Sequence, residues 1–272
     1  VCDVHLVAGS ISTILPPGVW SQILLNWALT PINAGRTTPW VTTDGGSVMP
    51  PGDLASLAFY HAFQNPDGSY VREKWLGCKS TKGSLKFTEK AQGRKLIFSS
   101  DFVGIKVVTN TVEASPPAAP DATEFPNPAE TDYPAGAWLF SHFLGATGTC
   151  KIGSARTQLA DFSLSWENQM DARTYESPFL QICRFLGRKV TAEVGLRYKP
   201  SPDDLAAMQS RTLQDSEFKL DNGVNTLKLD LNAKNRLMRE REYADGDEYA
   251  AKLQLTNFWD PALATDIALT LT

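Results

Sequence analysis

The stretch from Leu159 to Tyr198 constrains this chain more than any other. Phe162, Leu164 and Trp166 alternate with Ser163, Ser165 and Glu167. Further on, Val190, Ala192, Val194, Leu196 and Tyr198 alternate with Thr191, Glu193, Gly195 and Arg197. Two-residue alternation puts one set of side chains on each face of a pleated strand. Both segments therefore read as half-buried strands with one apolar and one polar face. An irregular connection carrying Asn168, Pro178 and Gly187 is expected between them. This pair is the spine onto which the remaining segments are added.

The additions are mostly strands. Tyr70–Cys78 reads as a strand. Ser84–Thr88 and Lys95–Val108 read as a β-hairpin around a Gly-containing turn, with Leu85 and Phe87 matched by Leu96, Phe98, Ser100 and Phe102. Leu227, Leu229 and Leu231 alternate with Lys228 and Asp230 after an Asp221-Asn-Gly turn. Tyr249, Ala251, Leu253 and Leu255 alternate with Glu248, Lys252, Gln254 and Thr256. Asp266–Thr272 reads as a strand with Ile267, Leu269 and Leu271 on one face, and its pairing into a sheet would tie down the C-terminus. Two helices are expected. One is Asp53–Phe63, with Asp53 suited to the amides of its first turn; the other is Ser201–Leu213, with Ser201 as cap and Pro202 in the first turn. Val19–Leu29 is apolar enough to be a buried strand or a short helix, and periodicity does not separate the two.

The expected architecture is mainly β: an antiparallel β-sandwich or barrel with one or two short helices. The chain of 272 residues is read as a single such domain. An extension of about residues 1–50 precedes it, and a Pro-rich arm or loop of about residues 113–136 interrupts it. Pro116, Pro117, Pro120, Pro126, Pro128 and Pro134 bar that interruption from a helix or an inner strand. It is either a loop without order or an arm that lies along another subunit.

Composition then removes several functions. The formal net charge is −4, which argues against gripping nucleic acid through its phosphates. No run of about eighteen apolar residues is present, so no membrane span is expected. The first twenty residues do not have the pattern of a signal peptide. Cys2, Cys78, Cys150 and Cys183 are scattered without a CxxC pair and read as reduced, mostly buried thiols. His5, His61 and His142 form no metal-binding spacing, and no GxSxG elbow occurs. No enzyme activity, cofactor or metal is therefore expected. The seven tryptophans keep one alternative open, a β-sandwich that binds carbohydrate or a receptor.

The order of segments carries a resemblance. Phe-Ser-Leu-Ser-Trp-Glu-Asn168 ends a strand; Gly187-Arg-Lys-Val-Thr-Ala-Glu-Val-Gly-Leu-Arg follows; then come Pro-Asp-Asp-Leu-Ala-Ala-Met and strands to residue 272. Upstream stands Trp75-Leu-Gly-Cys-Lys-Ser-Thr-Lys-Gly-Ser-Leu-Lys-Phe-Thr, then a Gly turn and a Leu-Ile-Phe strand. Over about residues 50–110 and 146–272 this resembles the tail tube proteins of long-tailed bacteriophages. The resemblance implies a structural virion protein whose hexameric rings stack into a tail tube, assembled in the host cytoplasm. Its partners would be further copies of itself and other tail proteins. The tape-measure protein and genomic DNA would pass through the lumen without specific binding. A tail terminator or distal tail ring protein is the neighbouring possibility. Glu193, Arg197, Lys228, Asp230, Glu248 and Lys252 are the expected polar lumen or interface positions.

Overall fold

The computed structural model describes residues 7–15, 19–29, 40–43, 54, 56–67, 70–88, 96–113, 150–152, 154–156, 159–173, 182–196, 209–210, 216–221, 226–231, 236–245, 248–257 and 268–271. In chain order the elements are β1 (Val7–Ile14), α1 (Val19–Leu29), β2 (Trp40–Thr43), β3 (Leu57–Gln64), β4 (Tyr70–Thr88), β5 (Leu96–Gly104), β6 (Lys106–Glu113), β7 (Cys150–Ile152) and β8 (Ser154–Arg156). There follow β9 (Leu159–Arg173), β10 (Ile182–Leu196), β11 (Ser216–Asp221), β12 (Thr226–Asp230), β13 (Arg236–Asp245), β14 (Glu248–Asn257) and β15 (Ala268–Leu271).

Two antiparallel sheets result. The larger has nine strands in the order β1-β5-β4-β9-β10-β14-β13, with β3 and β6 also paired to β4. The smaller has six, in the order β2-β15-β12-β11-β7-β8. Alternation explains how they meet. Phe162, Leu164, Trp166, Val190, Ala192 and Val194 of the larger sheet are buried, as are Phe218, Leu220, Leu227 and Leu229 of the smaller. All belong to one core, and the Phe162 and Phe218 rings lie 4.5 Å apart between the sheets. The architecture is thus mainly β, a sandwich of open sheets; among the described residues neither sheet closes into a barrel.

The spine forms as expected and is longer than its pattern suggested. β9 runs on to Arg173 and β10 begins at Ile182, so Asn168 and Gly187 sit inside the ladder rather than in the connection. A bulge between Phe185 and Gly187 absorbs the break in alternation. Leu186 is the extra residue and is 53% exposed, which is what a bulge does to the side chain it inserts.

Val19–Leu29 is a helix. Ser21, Leu24, Leu25 and Ala28 are buried and share one face at helical spacing, and Trp27 and Leu29 are buried as well. A helix apolar on most sides belongs inside, and α1 packs against the shared core. The helix expected at Asp53–Phe63 is instead strand β3, paired with β4 from Leu57↔Cys78 to Gln64↔Tyr70. Leu57 and Phe59 pack on the core while Ala58 is exposed, a period of two that the helical reading overlooked. Aromatic residues and a waiting partner edge override weak local propensity. Of the helix expected at Ser201–Leu213 only residues 209–210 are described, and they are helical. The Pro-rich segment after Glu113 lies outside the described residues.

β4 is the longest strand, 19 residues, and it serves two neighbourhoods. Its second part pairs with β5 and β9, its first part with β6 and β3. The change of neighbourhood falls at Gly77, whose φ of 64° suits glycine. A Cβ there would lie 2.6 Å from Ile105 Cδ1, and the Ile105 amide donates to the Leu76 carbonyl at 2.9 Å. The ribbon turns a corner at that point without breaking the chain of pairing.

Candidate functional site

α1 reaches the larger sheet with its C-terminus, and the sheet supplies what the helix sequence lacks. The last turn of α1 carries no basic residue, and its final carbonyls need donors. Asn168 Nδ2 donates to the Ala28 carbonyl at 3.0 Å and to the Ser80 carbonyl at 3.0 Å. Arg188, the register partner of Asn168, donates to the Leu29 carbonyl. A guanidinium at the negative end of a helix is also electrostatically favourable. Burial pulls the Arg188 pKa down to about 9, so it stays cationic near neutral pH. The Trp27 indole N–H donates to the Cys78 carbonyl at 2.7 Å and pins the same end of the helix to β4.

Around this anchor lies a buried polar seam. Trp166 Nε1 donates to Ser80 Oγ at 3.2 Å, and Ser80 Oγ lies 2.7 Å from Ser100 Oγ. Ser100 in turn donates to the Lys82 carbonyl at 3.2 Å. Gly83 makes room for the indole: a Cβ there would meet Trp166 Cζ2 at 2.3 Å and the Ser99 carbonyl oxygen at 2.4 Å. Asn168 Oδ1 is buried without a hydrogen-bond partner.

The outer face of the larger sheet is polar. Lys82, Lys86, Glu167 and Lys189 are exposed on it, and Asp101 and Glu193 are half-buried. Lys82 Nζ lies 3.3 Å from Asp101 Oδ2. A shallow open groove crosses this face over β5, β4, β9 and β10. The smaller sheet presents its own polar face. There Glu217 and Asp230 are register partners, and Lys228 sits between them, 2.8 Å from Glu217 and 3.7 Å from Asp230. Like charges opposite each other repel, and the ammonium offsets that. Its hydrogen bond to Glu217 raises the Lys228 pKa.

The expected lumen or interface residues are divided between the two sheets. Glu193 belongs to the outer face of the larger sheet, whereas Lys228 and Asp230 belong to the smaller one, across the core. Glu248 and Lys252 hold register positions on β14, opposite Asp245 and Gly195. Arg197 lies outside the described residues. Alternation gives the parity of each residue but not which sheet its strand joins, and the split follows from that. Asn168 and Arg188 stood out in the sequence only as motif residues. Their contact with α1 spans 140 and 159 positions, and nothing local signals it.

Among the described residues no group of three or more His, Cys, Asp or Glu is placed to hold a metal ion. Cys78 is buried and unpaired, and desolvation pushes its thiol pKa up to about 12, the opposite of an activated nucleophile. Trp27 and Trp166 are core residues at 1% and 2% exposure, and Trp75 packs against the core, so none of the three offers a sugar platform.

No protein-family model matches the chain, and no curated protein does. Among solved structures it is similar to a chain of the virion of a native gene transfer agent particle, at 12% identity and a TM-score of 0.30. That likeness covers 43% of this chain and 88% of the other. A similarity of that size carries no argument about this protein.

Proposed function

We propose that the chain is a non-catalytic structural subunit of a phage-type virion, built to form stacked rings of a tail tube. One observation carries the reading. Among the described residues the larger sheet is open, is apolar on its inner face and polar on its outer face, and ends on β1 at one margin and β13 at the other. An exposed sheet margin is a template for pairing, and ring closure between copies removes it. Head-to-tail stacking of such rings gives an open filament. The resemblance adds to this, because its two central segments, ending at Asn168 and starting at Gly187, are register partners in β9 and β10.

On this reading the protein's partners are its own copies and other tail proteins, its place is the virion, and DNA passes without being held. The test is electron microscopy of the purified chain at high concentration and of the particles that contain it. Short tubes of stacked rings are expected. A monodisperse monomer that never assembles, alone or with particle components, overturns the reading.

A further inference from the structure

The two margins of the larger sheet differ in chemistry. β13 reads Arg236-Leu-Met-Arg-Glu-Arg-Glu-Tyr-Ala-Asp245, so most of its residues are charged. β1 reads Val7-Ala-Gly-Ser-Ile-Ser-Thr-Ile14 and carries no charge and no proline. Charges on an edge strand discourage pairing with a foreign strand, and an uncharged edge leaves it open. The ladder to β5 shows which groups of β1 are available. Leu15 and Leu96 continue the register that runs from Val7↔Gly104 to Ile14↔Ile97, and the Leu15 amide donates to the Leu96 carbonyl at 2.9 Å. Hydrogen-bonded and non-hydrogen-bonded positions alternate along an antiparallel pair. Gly9, Ile11 and Thr13 therefore bond to β5, and the amides and carbonyls of Ala8, Ser10, Ser12 and Ile14 point away from it. The Ile14 carbonyl accepts from the Thr13 hydroxyl at 3.3 Å, a bond from its own strand. Among the described residues no strand pairs with that side of β1. The side chains divide in the same way. Ala8, Ser10, Ser12 and Ile14 are exposed, Ile14 at 40%, whereas Gly9, Ile11 and Thr13 are only half-buried. Their β5 partners Phe102, Ser100 and Phe98 are buried, so the core thins out beneath this margin.

We infer that β1 pairs with β1 of a second copy of this chain about a two-fold axis through Ile11, joining two subunits into one continuous sheet. The register follows from the faces. Residues opposite each other in a sheet share a face, so exposed positions must meet exposed positions. Placing Ile11 opposite Ile11 sets Ser10 opposite Ser12 and Ala8 opposite Ile14. Those four are the positions whose backbone groups point outward, so the register that matches the faces also closes roughly eight backbone hydrogen bonds. The two Ile11 side chains meet at a non-hydrogen-bonded position, with Cα atoms about 4.5 Å apart, and extend both cores where each is thin. A slip of one residue would set a serine against Ile11 and put an apolar side chain on the wet face. A slip of two would leave Ala8 or Ile14 without a partner within β1. The occupant is a second copy because the segment is complementary to itself: serine meets serine outside, isoleucine meets isoleucine inside, and no charge is opposed. Such an isologous pair is closed and does not propagate. The pairing stands without the tube reading; its part in assembly rests on that reading. While β1 is held by β1 the margin is shut to ring neighbours, so the pair is a resting form of the free subunit that parts before rings grow.

The test places a thiol on the axis, Ile11→Cys, with a mixture of Ser10→Cys and Ser12→Cys copies as the second arm in case the first variant does not fold. Samples treated with a mild oxidant are read by non-reducing electrophoresis against the unsubstituted chain, whose native thiols set the background. Free Ile11→Cys subunits are expected to cross-link into dimers, and the mixture to cross-link more than either of its components alone. Sedimentation of the unsubstituted chain is expected to show a monomer–dimer equilibrium. The double variant Ser10→Lys with Ser12→Lys sets lysine opposite lysine at two places and is expected to weaken that equilibrium at least about tenfold. Mixing it with Ser10→Glu and Ser12→Glu copies is expected to restore pairing, a rescue that general damage to the fold would not give. A monomer at every concentration short of tube formation, or dimers indifferent to these substitutions, overturns the inference and leaves the tube reading intact. A thiol that cross-links in particles to a different protein and never to its own kind overturns it too. Tubes that keep the Ile11→Cys cross-link at the level of free subunits overturn the resting-form role. Dimers that never grow into tubes, alone or with particle components, sink the tube reading and leave the pairing standing.

Discussion

The two sheets neutralise their outward charges in different ways. On the smaller sheet Lys228 is gathered between Glu217 and Asp230, a compact cluster held by one ammonium. On the larger sheet Asp101, Lys82, Glu167 and Lys189 spread the same cancellation over four strands. The first arrangement is a local contact that loss of the one ammonium ends. The second is a property of the register, and it persists only while the strands keep their alignment. The inner faces show no such contrast, because both sheets bury their apolar residues in the same core.

The sharpest way to break the comparison is to attack what the sheets share. Phe162→Ala and Phe218→Ala should each cost about 3–5 kcal/mol in urea unfolding, since each empties one side of a ring contact between the sheets. The double variant should fall short of the sum; strict additivity would mean that the sheets do not depend on each other. Asn168→Ala should cost about 1–3 kcal/mol, because it strips a donor from the Ala28 and Ser80 carbonyls. Its companion readout is loss of helical circular dichroism from α1 at temperatures where the sheets persist.

The alkaline range separates core from surface. The Cys78 thiol stays protonated in the fold to about pH 12, whereas its ordinary value is 9.0. Above about pH 9 the unfolded chain therefore sheds a proton that the folded chain keeps, and stability falls as pH rises. Cys78→Ala should flatten that fall in denaturation measured across pH 8 to 11, a range set around the thiol's about 9. The raised Lys228 pKa acts in the same direction, since its contribution is present below the ordinary lysine range and is lost as pH rises through the raised value. The smallest effect is expected from Lys228→Ala at neutral pH, about 0–1 kcal/mol and weaker in high salt, because the pair is partly exposed.

Much of the fold was legible because period-two alternation is a local signal. Phe162 to Glu167 and Val190 to Gly195 announce their strand and its buried face, and the Asp221-Asn-Gly turn announces the β11–β12 hairpin. What was not legible depends on partners far along the chain. Asp53–Phe63 reads as a helix because the pairing of β3 with β4 is a tertiary fact, although Leu57, Ala58 and Phe59 already alternate. Periodicity does not separate helix from strand for α1, and the core it enters decides it. Glu193, Lys228 and Asp230 each stand between buried neighbours, as alternation implies, yet Glu193 and Lys228 belong to different sheets, and strand order is written nowhere in the residues between them.

The corner at Gly77 has a mechanical consequence. Because β4 passes through it as one unbroken strand, a tug on the ribbon of β3, β4 and β6 travels along covalent backbone into the larger sheet. There it loads the ladders on both sides of β4 lengthwise, so that many hydrogen bonds must yield together instead of peeling one by one. The ribbon is in this sense a handle riveted along its length.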